Sequence, residues 1–284
     1  MSPSIRFSFQ HQSYKKIKSH VQYALFKSEG IVLITGRPGT GKTSLVDEIT
    51  YKLAKSRIAV TKVSCDGLDS ENLLQATLHA LGVQEPGGNK ATMLRNLEKR
   101  LSETRADGRL SVLMFDEAQT LTDDALEQIR IMTNYQSGGQ PLVQVFLVGQ
   151  SELRERVLTP AFEQLHQRIL TSCHLEPLSQ EETRGYIHHR LAAVGWKEGN
   201  PELAEELFPM IHSISQGIPR WINLICSRLL LHGMAEDSRH LSLHDLNAVL
   251  LDLREENLLP VATLGAQSRE SGVAVRALEA RSAD

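Results

Sequence analysis

Short apolar runs alternate with longer amphipathic segments in roughly the first 176 residues of the chain. The apolar runs are rich in Val, Ile, Leu and Phe, which is typical of strands that are buried on both faces of a parallel sheet. The predicted strands are residues 31–35, 58–64, 110–116, 142–148 and 170–175. Because helix-like segments separate these strands, the pattern predicts an α/β domain with a parallel sheet flanked by helices.

The intervening segments carry apolar residues at helical spacing. Ile17, Val21, Ala24 and Leu25 form one such stripe, which predicts a lead-in helix within residues 1–30. The other predicted helices of this half are residues 45–53, 66–82, 91–104, 123–135 and 151–158. Their apolar stripes are interpreted as core packing.

From Ser179 onward the pattern becomes wholly helical. Ser179 and Glu182 have the spacing of a capping box, which predicts a helix start at this point. The predicted helices are residues 183–194, 201–215, 221–235 and 242–254. We therefore expect an α/β domain over 31–176, a small helical domain over 177–256 and a largely disordered tail over 257–284.

Composition excludes several classes of protein. The net charge of −3 over 284 residues gives no global field toward nucleic acid or anionic membrane. Cys65, Cys173 and Cys226 are odd in number and widely spaced, so they are interpreted as small core residues of a reduced compartment. The chain has neither a signal-like apolar core at its N-terminus nor an apolar run near 18–20 residues. We therefore expect a cytoplasmic protein without an integral membrane segment.

The lead-in segment is locally basic. Its cations are Arg6, Lys15, Lys16, Lys18 and Lys27, and no acidic residue precedes Glu29. One interpretation is a solvated helix face, and the alternative is a patch for a partner or a nucleic-acid backbone.

A glycine-rich loop follows the first predicted strand and precedes a predicted helix. It matches G-x-x-x-x-G-K-[ST] over Gly36, Arg37, Pro38, Gly39, Thr40, Gly41, Lys42, Thr43 and Ser44. Glycines let successive backbone N–H groups surround phosphate oxygens, and the helix N-terminus adds its positive dipole end. Lys42 is expected to reach the β- and γ-phosphates, and the Thr43 hydroxyl to ligate Mg²⁺. The loop therefore predicts a site for a nucleoside triphosphate.

Two adjacent acids, Asp116 and Glu117, end the buried-type strand 110–116. In combination with the glycine-rich loop, Asp116 is expected to hold Mg²⁺, directly or through water. Glu117 is expected to orient and polarise the attacking water. A strand exit that is merely capped by carboxylates is the alternative interpretation.

Three further side chains are candidates for contacts with the γ-phosphate or its transition state. Gln150 ends the strand 142–148, and Arg168 precedes the strand 170–175, from which it could reach a neighbouring subunit. Arg154 and Arg156 are rivals for that role. Arg220 opens a helix after Gly-Ile-Pro. The alternatives are an ordinary strand-end glutamine, a surface ion pair and a solvated arginine.

Taken in order, these motifs resemble an AAA+ ATPase. Several segments are similar to the accessory ATPases of the general (type II) secretion pathway, over roughly residues 10–256. They are Leu147-Val-Gly-Gln-Ser-Glu-Leu-Arg, Leu165-His-Gln-Arg-Ile, Leu175-Glu-Pro-Leu-Ser-Gln-Glu-Glu-Thr and Gly217-Ile-Pro-Arg-Trp-Ile-Asn. The resemblance implies ATP as the nucleotide, Gln150 as sensor 1, Arg168 as a trans-acting arginine and Arg220 as sensor 2 of a helical lid. Transposition helper ATPases carry similar segments.

Three functions are consistent with these residues. The first is an ATP hydrolase that assembles into a ring or filament and serves a secretion, pilus or polysaccharide machine, reaching the inner membrane only through protein partners. The second is a DNA-binding helper ATPase of the transposition type, for which the basic lead-in offers a modest footprint. The third is a nucleotide-gated interaction switch with little turnover.

Overall fold

The computed structural model describes residues 9–54, 56–84, 88–197 and 199–259. The chain divides into two compact units, Met1–Glu176 and Pro177–Asp284. The prediction of a disordered tail falls, from residue 260 onward, outside the described residues. None of the helices that the structure describes combines the length and the apolar character that a bilayer crossing requires.

The first unit is built on a five-stranded parallel sheet. Its strands are β1 (Ile31–Gly36), β2 (Ile58–Ser64), β3 (Leu110–Asp116), β6 (Val143–Gly149) and β7 (Ile169–Leu175), in the order β2-β3-β6-β1-β7. A two-residue hairpin, β4 (Gln136–Ser137) with β5 (Gln140–Pro141), precedes β6. The sheet confirms the predicted fold class. Because β6 lies between β1 and β3, the ends of these three strands meet at one edge.

Helices flank this sheet. They are α1 (Gln12–Lys27), α2 (Lys42–Leu53), α3 (Ser70–Ala80), α4 (Lys90–Ala106), α5 (Asp123–Met132), α6 (Ser151–Val157) and α7 (Glu163–His166), with 3-10 turns at Ala118–Thr120 and Pro160–Phe162. The predicted helix 123–135 ends three residues early, because Tyr135 already leads into the β4–β5 hairpin.

Two apolar cores lie on opposite faces of the sheet. Leu113 and Phe115 of β3 point into the core that α3, α4 and α5 complete. Val112 and Met114 point into the other core, which contains residues of α1 and α2. Alternate strand residues thus serve opposite faces, which explains why the strands read as continuous apolar runs.

The predicted lead-in helix is present as α1, and Ile17, Val21 and Ala24 are buried as its stripe requires. Its basic face is divided in use. Lys18 Nζ lies 3.2 Å from Glu48 Oε1 on α2, whereas Lys15 and Lys16 are exposed. One of the predicted surface lysines therefore holds α1 to the neighbouring helix.

The second unit consists of α8 (Gln180–Ala193), α9 (Leu207–Ser215), α10 (Pro219–Ala235) and α11 (Leu243–Glu255), with a short parallel pair, β8 (Glu202–Leu203) and β9 (His240–Leu241). The capping box of Ser179 and Glu182 is confirmed. The predicted helix start at Pro201 is wrong, because residues 202–203 pair with β9 before α9 begins. Gly217 has φ +67°, and an added Cβ there would lie 2.0 Å from the Leu178 carbonyl oxygen.

Candidate nucleotide-binding site

The glycine-rich loop connects β1 directly to α2, as the motif requires. Gly39 and Gly41 have φ values of 80° and 100°, in a region that residues other than glycine rarely adopt. Gly36 is required for a different reason, since a Cβ there would lie 2.8 Å from the Leu175 carbonyl oxygen and 3.0 Å from Thr40 Oγ1. Backbone angles and close packing therefore both select glycine in this loop.

Lys42 is buried at the start of α2 and directs its ammonium group back onto the loop. Its Nζ donates to the carbonyl oxygens of Gly36 at 2.9 Å and Arg37 at 3.2 Å. Burial lowers the pKa of Lys42, and the negative charges of Glu117, Asp116 and Glu152 oppose that shift. The ammonium group is thus held by two carbonyl oxygens of the loop, at the place where the motif puts phosphate oxygens.

The remaining loop side chains are divided between structure and surface. Thr40 is buried and donates from Oγ1 to the Arg37 carbonyl oxygen at 2.8 Å, which closes the loop. Arg37, Thr43 and Ser44 are exposed, and the last two lie in the first turn of α2. Their hydroxyl groups are therefore accessible to a bound molecule.

The acidic pair is located where β3 ends. The Asp116 side chain is only 9% exposed, and its Oδ2 lies 3.2 Å from Lys62 Nζ of β2. Its Oδ1 accepts from the Glu117 backbone N–H at 3.0 Å. Glu117 has φ 56°, in the left-handed region. The main chain therefore leaves the extended conformation at Glu117, directly after Asp116.

Gln150 directly follows β6 and is the N-terminal cap residue of α6. It is half-buried, and its backbone N–H donates to Gln119 Oε1 at 2.9 Å. Since β6 pairs with both β1 and β3, Gln150 emerges at the same sheet edge as the glycine-rich loop and the acidic pair.

The arginine candidates differ in how they are held. Arg156 donates to Asp123 and to the Leu121 carbonyl oxygen, so its guanidinium is occupied within its own unit. Arg168 is exposed directly before β7, the edge strand, and its carbonyl oxygen accepts from Ile31 N–H at 2.9 Å. Arg154 is also exposed. The structure thus removes Arg156 as a free cation and leaves Arg168 on a fixed main chain.

Arg220 belongs to the second unit. It is the second residue of α10, as the Gly-Ile-Pro-Arg segment predicts, and its side chain is exposed. Its contribution to a nucleotide site stays a prediction.

Two residues at the site were missed by the sequence-based interpretation. Gln119 donates from Nε2 to Glu117 Oε2 at 2.6 Å, and Lys62 pairs with Asp116. Gln119 had a weak signal, as a polar residue two positions after Glu117. Lys62 gave no signal in the sequence, because a lysine on a strand is ordinarily a solvent-exposed residue. Its contact with Asp116 depends on which strand lies next to β3.

Residues 25–157 match the family described as AAA domain. General secretion pathway protein A of Aeromonas hydrophila is 32% identical over 239 residues, which are 84% of this chain and 43% of that protein. The chain therefore spans less than half the length of this relative.

Two solved structures share the fold. Cdc6p from Pyrobaculum aerophilum has a TM-score of 0.69 at 20% identity, covering 87% of this chain and 69% of that chain. RuvB from Thermotoga maritima, a Holliday junction branch migration motor, has a TM-score of 0.58 at 19% identity, covering 87% and 70%. Together with the loop and the acidic pair, the match to the AAA domain and the identity with general secretion pathway protein A confirm the resemblance found in the sequence. Residues 25–157 are an AAA domain of the P-loop ATPase class, and the chain is a homologue of general secretion pathway protein A.

Proposed function

We propose that this protein binds and hydrolyses Mg-ATP, and that turnover requires assembly into a ring or filament. The observation that carries the proposal is that Lys42, in the loop-helix segment after β1, and the pair Asp116 and Glu117, at the end of β3, emerge at the same sheet edge of one unit, because β6 pairs in parallel with both strands. Phosphate binding and water activation need these groups at one place.

The glycine-rich loop is the proposed phosphate cradle. Backbone N–H groups within residues 36–44, other than at Pro38, would surround the β-phosphate, with the N-terminal end of α2 contributing its dipole. Lys42 would exchange its bonds to the Gly36 and Arg37 carbonyl oxygens for bonds to the β- and γ-phosphates. Its burial strengthens that interaction, because less water screens the charge.

Asp116 and Thr43 would hold Mg²⁺. The chain itself places a cation, Lys62 Nζ, 3.2 Å from Asp116 Oδ2, so the carboxylate already faces a position that accepts positive charge. The exposed hydroxyl of Thr43 supplies an oxygen of the type that Mg²⁺ prefers. The ion would neutralise charge on the β- and γ-phosphate oxygens.

Glu117 is the proposed base for water. Its carboxylate would take a proton from a water molecule while the water oxygen forms a bond to the γ-phosphorus. The bond from that phosphorus to the bridging oxygen breaks, and ADP leaves with the electron pair. Gln150, at the end of the strand beside β3, would position the water or the γ-phosphate.

Assembly would complete the site. Arg168 is exposed on the edge-strand side and would stabilise transition-state charge in a neighbouring subunit. Residues 31–176 would form the nucleotide-binding domain, and residues 177–256 a lid that brings Arg220 to the γ-phosphate. Hydrolysis would therefore rise with protein concentration.

The client is proposed from the relative. General secretion pathway protein A is named for a secretion pathway, so an envelope-assembly machine is the proposed partner. Exposed Lys15 and Lys16 on α1 favour the second candidate, a DNA-stimulated helper ATPase.

The test is steady-state ATP hydrolysis against protein concentration, with and without double-stranded DNA, at two salt concentrations. Glu117→Gln should reduce the rate by about 10²- to 10⁴-fold while ATP still binds. Lys42→Ala should abolish ATP binding. Stimulation by DNA that fades with salt would select the helper ATPase. Hydrolysis that survives in purified Glu117→Gln would refute the role of Glu117, and ATP binding without turnover at any concentration would leave a nucleotide-gated switch.

A further inference from the structure

The side-chain amide of Gln119 connects the two strand ends of the proposed catalytic site. Its Nε2 donates to Glu117 Oε2 at 2.6 Å, and its Oε1 accepts from the Gln150 backbone N–H at 2.9 Å. Both ends of one amide are thus engaged by residues that follow β3 and β6. A primary amide has its donor and its acceptor on separate atoms, so it can donate to a carboxylate and accept from an N–H at the same time.

This connection of Glu117 to Gln150 through the Gln119 side chain is called the bridge below. The turn that carries Gln119 is held by a further hydrogen bond. Gln119 lies in the 3-10 turn Ala118–Thr120, and the Thr120 hydroxyl donates to the Glu117 carbonyl oxygen at 2.8 Å. The turn is therefore held to Glu117 twice, by the bond to the Glu117 carbonyl oxygen and by the Gln119 amide on the Glu117 carboxylate.

Glycine at the end of β6 makes room for the bridge. A Cβ at Gly149 would lie 2.8 Å from Gln119 Oε1, 3.3 Å from the Gln119 backbone nitrogen and 2.7 Å from Leu153 Cδ2. Gly149 does not have a positive φ, so it is needed here for the close approach of Gln119.

Glu117 needs such support. Its φ of 56° is unfavourable for a residue with a side chain, so surrounding contacts must hold this conformation. The contact from Gln119 engages Oε2, which leaves Oε1 as the oxygen to accept a proton from water. Lys42 donates instead to the carbonyl oxygens of Gly36 and Arg37.

We propose that Gln119 is a positioning residue that fixes the carboxylate of Glu117 for water activation and couples it to the strand end that carries Gln150. This inference rests on the proposed hydrolysis of ATP. Gln119 itself touches neither ATP nor water in this role. Its loss should therefore lower kcat and leave nucleotide affinity unchanged.

The experiment compares Gln119→Ala and Gln119→Glu with the wild-type chain. Gln119→Glu keeps the size of the side chain but cannot donate to a carboxylate when ionised. Both variants should lower kcat by about 10- to 100-fold, as expected for a misplaced catalytic group. The ATP dissociation constant should stay within about two-fold of wild type. The matched control is Gln75→Ala, which removes an exposed glutamine of α3 and should leave both constants unchanged.

A double-mutant comparison separates positioning from general damage. Adding Gln119→Ala to Glu117→Gln should cause no further loss of kcat, because Gln119 acts only through Glu117. Gly149→Ala, which crowds the bridge from the other side, should lower kcat in the wild-type background. The melting temperatures of the two Gln119 variants should stay within about 2 °C of wild type.

Several results would overturn the inference. A wild-type rate in Gln119→Ala, beside a large loss in Glu117→Gln, would overturn it and leave the proposed function intact. A higher rate would show that Gln119 restrains Glu117 instead of positioning it. Losses that multiply in the double variant would show that Gln119 acts independently of Glu117. Absence of hydrolysis by the assembled wild type would overturn the proposed function and this inference together.

Discussion

Glu48 joins the lead-in helix to the helix that follows the glycine-rich loop. Its carboxylate is 6% exposed and accepts a hydrogen bond from the Tyr14 hydroxyl of α1. Lys18 of α1 and Lys52 of α2 lie against its Oε1 atom. Removal of the carboxylate would take away the acceptor that the Tyr14 hydroxyl and the two ammonium groups share.

The cost can be worked out contact by contact. A hydrogen bond to a buried charged group contributes about 1.5–3 kcal/mol. The two lysine side chains are 23% and 53% exposed, so each ion pair contributes only roughly 0–1 kcal/mol. Glu48→Ala should therefore lower the free energy of unfolding by about 2–4 kcal/mol. Glu48→Gln, which keeps an acceptor for Tyr14, should cost roughly half as much.

The assay is urea unfolding followed by far-ultraviolet circular dichroism. The expected decrease corresponds to a melting temperature lower by about 5–15 °C for a unit of this size. The control is Glu103→Ala, because that carboxylate is 50% exposed and its pair with Arg100 spans 3.5 Å. It should cost less than about 0.5 kcal/mol. A Glu48→Ala cost as small as the control's would refute the assignment of Glu48 as the tie between the two helices.

Three other substitutions test separate parts of the structure. Arg168→Ala should lower the rate of ATP hydrolysis by about 10³-fold. Mixing this variant with Lys42→Ala should restore part of the rate, because Arg168 of the Lys42→Ala subunit then meets the intact nucleotide site of the Arg168→Ala subunit, and no recovery would argue against action in trans. Lys62→Met should lower the Mg²⁺ concentration for half-maximal hydrolysis by about three-fold, since it removes a partly exposed cation from Asp116. A higher Mg²⁺ concentration for half-maximal hydrolysis would contradict this and show that Lys62 assists the Mg²⁺-bound state. Gly217→Ala should destabilise the second unit by about 3 kcal/mol, because the new Cβ would lie 2.0 Å from the Leu178 carbonyl oxygen. Both tryptophans belong to that unit, so an unfolding transition by tryptophan fluorescence that stays unchanged would contradict this prediction.

The sequence was sufficient where the signal is local. The strands over 58–64 and 110–116 have the bounds that the sequence predicts. The signal is strongest in 110–116, where every residue is buried and both faces of the strand need apolar side chains. The capping box at Ser179 was equally readable, because its partners lie three residues apart. The glycine-rich loop was predictable for the same reason, since residues within one short motif set its backbone angles and supply its phosphate-binding groups.

Local signals failed where a distant segment decides the conformation. Residues 201–206 carry helix-compatible residues, but Glu202 and Leu203 pair with a strand 38 residues further along the chain. Lys18 has the pattern of a solvated lysine, yet a buried carboxylate on α2 holds it. At Glu202 and Leu203 tertiary contacts outweigh the intrinsic helix preference of the segment, which is worth only tenths of a kcal/mol per residue. At Lys18 they decide only what the side chain contacts, since the predicted helix is present.

The amino-acid sequence by itself determined the class of fold, the phosphate-binding loop and the acidic pair, because each depends on neighbours along the chain. Only the tertiary structure decided which side chains surround Glu117 and Asp116. Gln119 meets the end of β6 across 31 residues, and Lys62 meets Asp116 across 54. Both contacts follow from the order of strands in the sheet. That order depends on how whole elements pack together, which no pattern within a single element encodes.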